Sequence, residues 1–195
     1  MNILMGVNDH NNQIHIIDFG LAKIYRDLKT CLHILYKSNC NLTGTTSYAS
    51  INNHLGVVQS CHDDLESIAY VLLFFIRGSL PWVAKPAGNK QQWDTTLQTK
   101  LNTPIDILCS TCPVKFGIFL GYTHTLHFED KPNYAYICKL FCNLFVREGY
   151  RHGHPFAGYV IGNSTDKQSM IIRAGTKNIG RRVPESGRQL TSGRI

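Results

Sequence analysis

The chain has 195 residues, of which 43% are hydrophobic, and its formal net charge is +7. This length suits one domain, or one domain with a tail, and the apolar fraction is sufficient for a core. The longest apolar run, residues 69–76, is far shorter than the roughly 20 residues that cross a bilayer. Residues 1–5 lack the pattern of a secretion signal. We therefore expect no membrane association, and a cytoplasmic or nuclear location.

The positive charge is concentrated in residues 151–195, which contain eight Lys or Arg and two acidic residues. The preceding residues are close to neutral overall. A basic segment that also contains Gly and Ser is more typical of a solvated, disordered tail than of a nucleic-acid-binding element. The sequence therefore predicts a folded domain in residues 1–150 and a disordered basic tail in residues 151–195, without nucleic acid as a partner.

The first predicted elements are two short strands, residues 3–5 and 13–17, joined by an Asn-rich turn. An antiparallel hairpin of this kind brings residue 2 close to residue 18. Residues 21–41 have mixed charges and no clear period, so we predict an irregular segment there.

The strongest helix signal begins near Asp63 or Asp64 and runs to Ile76. Its apolar residues lie nearly all round the helix, which is typical of a helix at the centre of a core. Gly78 and Pro81 are expected to end it.

The polar stretch of residues 85–102 is predicted to contain a surface helix near residues 91–101, and further helices are predicted near residues 105–109, 114–126 and 133–145. The last of these is amphipathic, and we assign its periodic side chains to the core: Tyr134, Ile137, Cys138, Phe141, Leu144 and Phe145. The predicted fold class is therefore mainly α, with a small leading β-hairpin.

The seven cysteines are an odd number, and without a secretion signal they are best interpreted as reduced thiols. Cys109-x-x-Cys112 together with Cys138 and Cys142 could supply four thiolates to a structural zinc ion. However, the last two cysteines fall within an apolar helical pattern. We predict no zinc site.

One motif points to chemistry: Asp18-Phe19-Gly20 directly follows residues 14–17, three of which are the β-branched residue Ile. A carboxylate at the end of a rigid strand is how phosphoryl-transfer enzymes hold Mg²⁺ on the phosphates of ATP. The tripeptide alone would also fit a buried strand closed by a turn, so its context has to decide between the two interpretations.

The context is a series of further motifs in chain order. They are Asn41-Leu42-Thr43-Gly44-Thr45, Tyr48-Ala49-Ser50-Ile51-Asn52, Asp63-Asp64-Leu65-Glu66-Ser67, Gly78-Ser79-Leu80-Pro81-Trp82, Thr103-Pro104-Ile105 and Asp130-Lys131-Pro132. With Asp18-Phe19-Gly20 they resemble the casein kinase I family of Ser/Thr protein kinases. The resemblance covers residues 2–150 and implies a protein-kinase-like C-terminal lobe. The family transfers the γ-phosphoryl group of ATP to Ser or Thr of acidic or already phosphorylated proteins.

The resemblance also implies roles for individual residues. Asp18 matches the metal-binding carboxylate, and Asn2 matches the asparagine that holds a second Mg²⁺. Thr45 matches the activation-segment threonine that contacts the catalytic aspartate, and Asp64 matches a structural aspartate that holds the catalytic loop. The alternatives are an ordinary polar residue for Asn2, a turn hydroxyl for Thr45 and a helix N-cap carboxylate for Asp64.

The site for acidic substrates is incomplete. Ser47 stands where the family carries an arginine of the activation segment, and residues 60–62, Ser-Cys-His, replace a pair of family arginines. Lys85 matches the lysine of this anion site, although a solvated surface lysine is the alternative. Because a guanidinium is the strongest phosphate clamp in proteins, recognition of phosphorylated substrates is expected to be weakened.

Several parts of the family's active site have no counterpart in the 195 residues. The catalytic aspartate would stand five residues before Asn2, and the phosphate-binding lysine and Gly-rich loop are also missing. No catalytic residue is therefore assigned. We expect a truncated, inactive homologue, or pseudokinase, that binds MgATP weakly. The alternatives are a non-catalytic module that binds kinase partners or protein substrates, and a truncated gene model of an active kinase.

Overall fold

The computed structural model of the chain describes residues 2–7, 13–83 and 90–150, all within one compact unit, residues 1–162. Over these residues the protein is mainly α-helical with one small antiparallel sheet, as predicted. In chain order the elements are β1 (Ile3–Met5), β2 (Ile14–Ile16), α1 (Ile51–His54), α2 (Cys61–Arg77), α3 (Lys90–Asn102), α4 (Ile105–Leu108), α5 (Val114–Thr125) and α6 (Tyr134–Arg147). The predicted tail, residues 151–195, lies outside the described residues.

Strands β1 and β2 form the predicted hairpin, with Ile3 opposite Ile16 and Met5 opposite Ile14. The N–H of Ile17 donates to the carbonyl oxygen of Asn2 at 3.0 Å, which continues the pairing beyond the strand ends. Every side chain of β2 is exposed. A two-stranded hairpin is only marginally stable in water by itself. Since no side chain of β2 is buried, the hydrogen bonds between the two backbones are the main restraint on this part of the molecule.

Helix α2 begins two residues earlier than its apolar pattern predicts. Its N-terminus is fixed by Asp63, whose carboxylate accepts the backbone N–H of Ser60 at 2.8 Å, as in a capping box. Its C-terminus is Arg77, and Gly78 follows in the left-handed region with φ 77°. Glycine adopts this conformation without steric cost, so the predicted stop is confirmed.

The core lies between α2 and α5, with α6 packed on the far side of α5. Its most deeply buried large side chains are Tyr70 and Leu73 on α2 and Phe119 and Leu120 on α5. Aromatic rings meet edge to face around this centre, as between Tyr70 and Trp82, whose centroids are 5.1 Å apart. Within the described residues, no helix has the length and apolarity to cross a membrane.

Helix α6 presents most of its predicted face to the core. Leu144 is buried, and Ile137 and Phe141 pack against the core, as predicted. Tyr134 and Cys138 are exposed instead, and Leu140, which the prediction omitted, is buried. The buried face is therefore shifted towards Leu140 and away from Tyr134 and Cys138.

One side of α2 is only partly covered by the described residues. The exposed fractions of Ile68, Phe75 and Ile76 are 43%, 41% and 38%. An apolar side chain that stays in water forfeits roughly 1.5–3 kcal/mol relative to full burial. A domain is stable by only about 5–15 kcal/mol, so incomplete burial of three such residues removes a substantial part of its stability.

We therefore expect the folded chain to bind a dye that recognises exposed apolar surface and to unfold below about 50 °C. Replacing both Ile68 and Phe75 with Gln should lower dye binding without loss of helical circular dichroism, because both side chains already face water. Leu73→Ala is the matched control: it opens a cavity in the core and should raise dye binding. A sharp unfolding transition above 50 °C without dye binding would contradict this account.

Candidate functional site

Asn2 and Asp18 lie next to each other at the open end of the hairpin, as predicted. The side-chain N–H of Asn2 donates to Oδ2 of Asp18 at 3.1 Å, and the backbone N–H of Gly20 donates to Oδ1 at 3.2 Å. Antiparallel pairing brings them together, because Asn2 stands opposite Ile17, the residue directly before Asp18. Both residues are exposed, so the pair is open to a ligand.

The backbone of Asp18 is unusual. Its φ is 60°, in the left-handed region, which few residues other than glycine adopt. Asp and Asn tolerate this region best, and local strain of this kind is concentrated at functional sites. The conformation ends the strand abruptly and sets the carboxylate where the amides of Asn2 and Gly20 reach it.

These two side chains suit Mg²⁺ by their chemistry. Mg²⁺ prefers hard oxygen ligands and commonly takes only one or two protein side chains, with water and substrate phosphates as the remaining ligands. A carboxylate and an amide carbonyl meet that requirement. No group of three or more His, Cys, Asp or Glu that could hold a metal is found in the described part of the chain.

Residues 44–55, which we call the 44–55 segment, contain the predicted Thr45 and Ser47. The carbonyl oxygen of Thr45 accepts the N–H groups of Tyr48 and Ala49 at 2.9 and 3.1 Å, which closes a tight turn. The carbonyl oxygen of Ser47 accepts the indole N–H of Trp82 at 2.8 Å. Ser50 then caps the short helix α1, with its hydroxyl accepting the N–H of Asn53 at 3.1 Å.

Two neighbouring carboxylates at the start of α2 have different surroundings. Asp63 has an exposed fraction of 0%: it accepts the hydroxyl of Ser50 at 2.7 Å and the N–H of Ser60 at 2.8 Å. Asp64 faces the surface, and partial loss of water around its carboxyl group, together with the charge of Asp63, raises its pKa. Sequence reasoning singled out Asp64 and missed Asp63, although the spacing Ser60-x-x-Asp63 was a usable signal.

Glu66 is a second buried carboxylate of α2, and its Oε1 contacts three partners. It accepts the N–H of Ile51 at 3.1 Å and the hydroxyl of Tyr70 at 2.7 Å, and it lies 3.6 Å from Nε2 of His124. Burial would raise the pKa of Glu66, but the hydrogen bonds from His124, Tyr70 and Ile51 outweigh it, and the pKa is lowered. Glu66 therefore holds α1 and α5 onto α2 as a carboxylate.

Lys100 of α3 reaches the same segment from the other side. Its Nζ lies 2.5 Å from the carbonyl oxygen of Ala49 and 3.2 Å from that of Thr46. Sequence reasoning missed this residue, because nothing in the spacing around it distinguishes a buried lysine from a solvated one.

The remaining predicted site residue, Lys85, lies outside the described residues. The cysteines that were considered for zinc, Cys109, Cys112, Cys138 and Cys142, are all free thiols, and the latter two are exposed. Burial raises the pKa of Cys109 to about 11, so it stays protonated at neutral pH.

Comparison of the chain with models of known protein families gives no match. The resemblance to casein kinase I is therefore carried by the motifs quoted above.

Asp63→Ala removes the acceptor of two buried donors, the Ser50 hydroxyl and the Ser60 N–H. For each of these donors the free energy of unfolding should fall by about 1–3 kcal/mol. Asp64→Ala, the matched control one residue along, should change it by less than about 0.5 kcal/mol. Urea unfolding followed by circular dichroism measures both. If the two variants lose equal free energy of unfolding, the buried hydrogen bonds of Asp63 contribute little to stability.

Proposed function

We propose that the chain is the C-terminal lobe of a Ser/Thr protein kinase related to casein kinase I and carries the metal-binding half of a phosphoryl-transfer site. The observation that carries the proposal is the contact between Asn2 and Asp18. Two oxygen-ligand side chains from residues 16 positions apart meet at the end of a hairpin, one of them in a strained conformation. The left-handed φ by itself would also fit a surface turn, since Cys31 and Asn39 share it, so the contact between the two side chains carries the proposal.

Asp18 and Asn2 would hold Mg²⁺ in this proposal. The ion, when bound with ATP, would neutralise charge on the phosphates. The protein's own contribution is positional: the N–H of Gly20 and the amide of Asn2 fix the Asp18 carboxylate before any ligand arrives. Such fixed polar groups stabilise developing charge without reorganisation.

The 44–55 segment would form the platform for a protein substrate. Its backbone is held by Trp82 at Ser47 and by Asp63 at Ser50, so its position is defined without a ligand. The expected partners are therefore protein substrates or kinase partners, in the cytoplasm or nucleus.

Recognition of phosphorylated substrates is weak in this proposal. The side chains of Ser60 and His62, which stand in place of family arginines, are buried and hydrogen-bond each other at 2.8 Å. They are engaged inside the protein and present no cation to a phosphate. With Ser47 also uncharged, a bidentate clamp is absent from the described part of the site.

The second candidate is a non-catalytic module that binds a partner through an apolar surface. It is favoured by the exposure of Ile68, Phe75 and Ile76 on one side of α2. Exposed contiguous apolar surface is typical of interaction sites. In this role the chain would need no bound nucleotide.

The 195-residue polypeptide by itself should not transfer phosphate. It carries no counterpart of the family's general base, phosphate lysine or Gly-rich loop, and such groups act as a unit. The assay is incubation with labelled ATP, Mg²⁺ and an acidic protein substrate. Incorporation above background that is abolished by Asp18→Ala would show that the polypeptide is catalytically complete.

Metal binding tests the site independently of catalysis. Mn²⁺, a paramagnetic substitute for Mg²⁺, should broaden the backbone NMR signals of Asn2, Asp18 and Gly20, and Asp18→Ala should abolish the effect. Asp27→Ala is the matched control, since Asp27 is another exposed carboxylate fixed by backbone N–H groups, those of Lys29 and Thr30. Broadening that persists in Asp18→Ala, or micromolar MgATP affinity specific over MgGTP, would contradict the proposed half-site.

A further inference from the structure

Lys100 is a lysine buried inside the protein, with an exposed fraction of only 4%. Its Nζ has three neighbours with lone pairs: the carbonyl oxygens of Thr46 and Ala49, and Nε2 of His54 at 3.2 Å. An ammonium group has three N–H donors and no acceptor. The three neighbours can therefore satisfy all donors of the charged form, although burial of the charge is still costly.

The surroundings of Lys100 are aromatic. Its Nζ lies 4.8 Å from the ring centroid of Tyr70 and 5.2 Å from that of Trp82, within the range of cation–π attraction. The indole N–H of Trp82 also donates a hydrogen bond to the carbonyl oxygen of Ser47, and the hydroxyl of Tyr70 donates one to Oε1 of Glu66. Lys100 thus joins α3 to the 44–55 segment at the point where α2 supports both.

The same geometry also satisfies a neutral amine. Two N–H groups of neutral Lys100 can donate to the carbonyl oxygens of Thr46 and Ala49, while its lone pair accepts an N–H from Nε2 of His54. That nitrogen also lies 3.2 Å from the carbonyl oxygen of Thr46, as an N–H donor would. The packed site therefore accommodates a neutral lysine and a neutral histidine without an unsatisfied N–H donor. Protonation of either side chain would place a positive charge inside the protein.

Burial opposes both charges. It lowers the pKa of Lys100 from 10.5 to about 7. Burial and then the charge of Lys100 lower the pKa of His54 from 6.5 to about 4. When the 44–55 segment leaves α3, both groups reach water and regain their ordinary affinity for protons. The open form thus binds more protons than the closed form, so acid favours opening.

The other titratable groups around the pair are Glu66 and Tyr70 on α2 and His124 on α5. The carboxylate of Glu66 attracts both charges and partly offsets the effect of burial. His124 contacts Glu66 and not the pair. Burial raises the pKa of Tyr70 far above neutrality, so its hydroxyl keeps its proton. Besides the pair, three titratable groups, His62, Asp63 and Glu66, contact the segment through Asn52, Ser50 and Ile51. Among the described groups, Lys100 and His54 are the two that share the carbonyl oxygen of Thr46 and contact each other.

We propose that Lys100 and His54 form an acid-opened latch that holds the 44–55 segment against α2 and α3 and releases it as protons bind. The latch does not depend on the proposed kinase relationship, because it stands on the contacts of Nζ alone. In any protein that uses this segment to contact a partner, the latch makes that contact sensitive to pH.

Hydrogen exchange of the full chain, followed by mass spectrometry and corrected for the intrinsic effect of pH, measures the opening. The amides of Tyr48, Ala49 and Asn53 are hydrogen-bonded within the segment and report on it. Their opening constant should rise by up to about tenfold per pH unit as the pH falls from 9.5 to 7, and again from 6.5 to 4.5. Amides of α6, away from the pair, supply the internal reference.

Three variants test which residue causes the pH dependence of opening in each of the two pH ranges. Lys100→Met should remove the dependence between pH 9.5 and 7, and His54→Gln should remove the dependence between pH 6.5 and 4.5. His124→Gln, the matched control, should leave both unchanged because the contact of His124 in the described part of the chain is with Glu66 and not with the pair. A dependence that survives both latch variants, or that disappears in His124→Gln, would overturn the proposal.

Circular dichroism shows whether each variant folds. If one does not, a second measurement tests the latch without any variant. In the unmodified chain, the pH profile of the segment is compared with that of α6. Equal profiles would mean that the whole domain loosens in acid and that no latch exists. A steeper profile confined to the segment supports the latch without any variant.

Discussion

The structure depends on a layer of buried ionisable groups between the apolar core and the 44–55 segment. Asp63 and Glu66 project from the first two turns of α2, and Lys100 approaches from α3. The hydrogen bonds of the two carboxylates come from N–H and O–H donors, whereas the lysine contacts carbonyl oxygens and His54. A buried charge without partners costs several kcal/mol, so these donors must be in place whenever the domain is folded. The layer therefore fixes the segment's position.

This arrangement couples local and long-range structure. Ser50 caps α1 and at the same time donates to Asp63, so the start of one helix and the start of another are set by a single hydroxyl. Similarly, Glu66 accepts the first N–H of α1, from Ile51. A helix of four residues has almost no stability by itself, because nucleation costs more than a few hydrogen bonds return. α1 exists because α2 supplies acceptors and donors at its N-terminus.

The hairpin and the exposed side of α2 contrast with this layer. The Asn2–Asp18 pair is held by the backbone ladder and by two polar contacts at the surface, with no burial to reinforce it. The layer around Lys100 is held by packing from three helices. The candidate metal site is thus the more adaptable part of the molecule, whereas the 44–55 segment stays fixed until the protonation of the groups around it changes.

The sequence by itself determined the features that depend on local spacing. The helices α2 and α4 to α6 follow from the spacing of apolar residues, α3 from a polar surface pattern, and the nearness of Asn2 and Asp18 from antiparallel pairing of two short strands. Only the tertiary structure decided the remaining features. The burial of Asp63 depends on the hydroxyl of Ser50, 13 residues away, and α1 is too short to produce a period. The burial of Lys100 depends on carbonyl oxygens 51 and 54 residues away. A lysine is buried only where other groups can accept hydrogen bonds from its amine. When those acceptors lie far away in the sequence, local spacing carries no information about them.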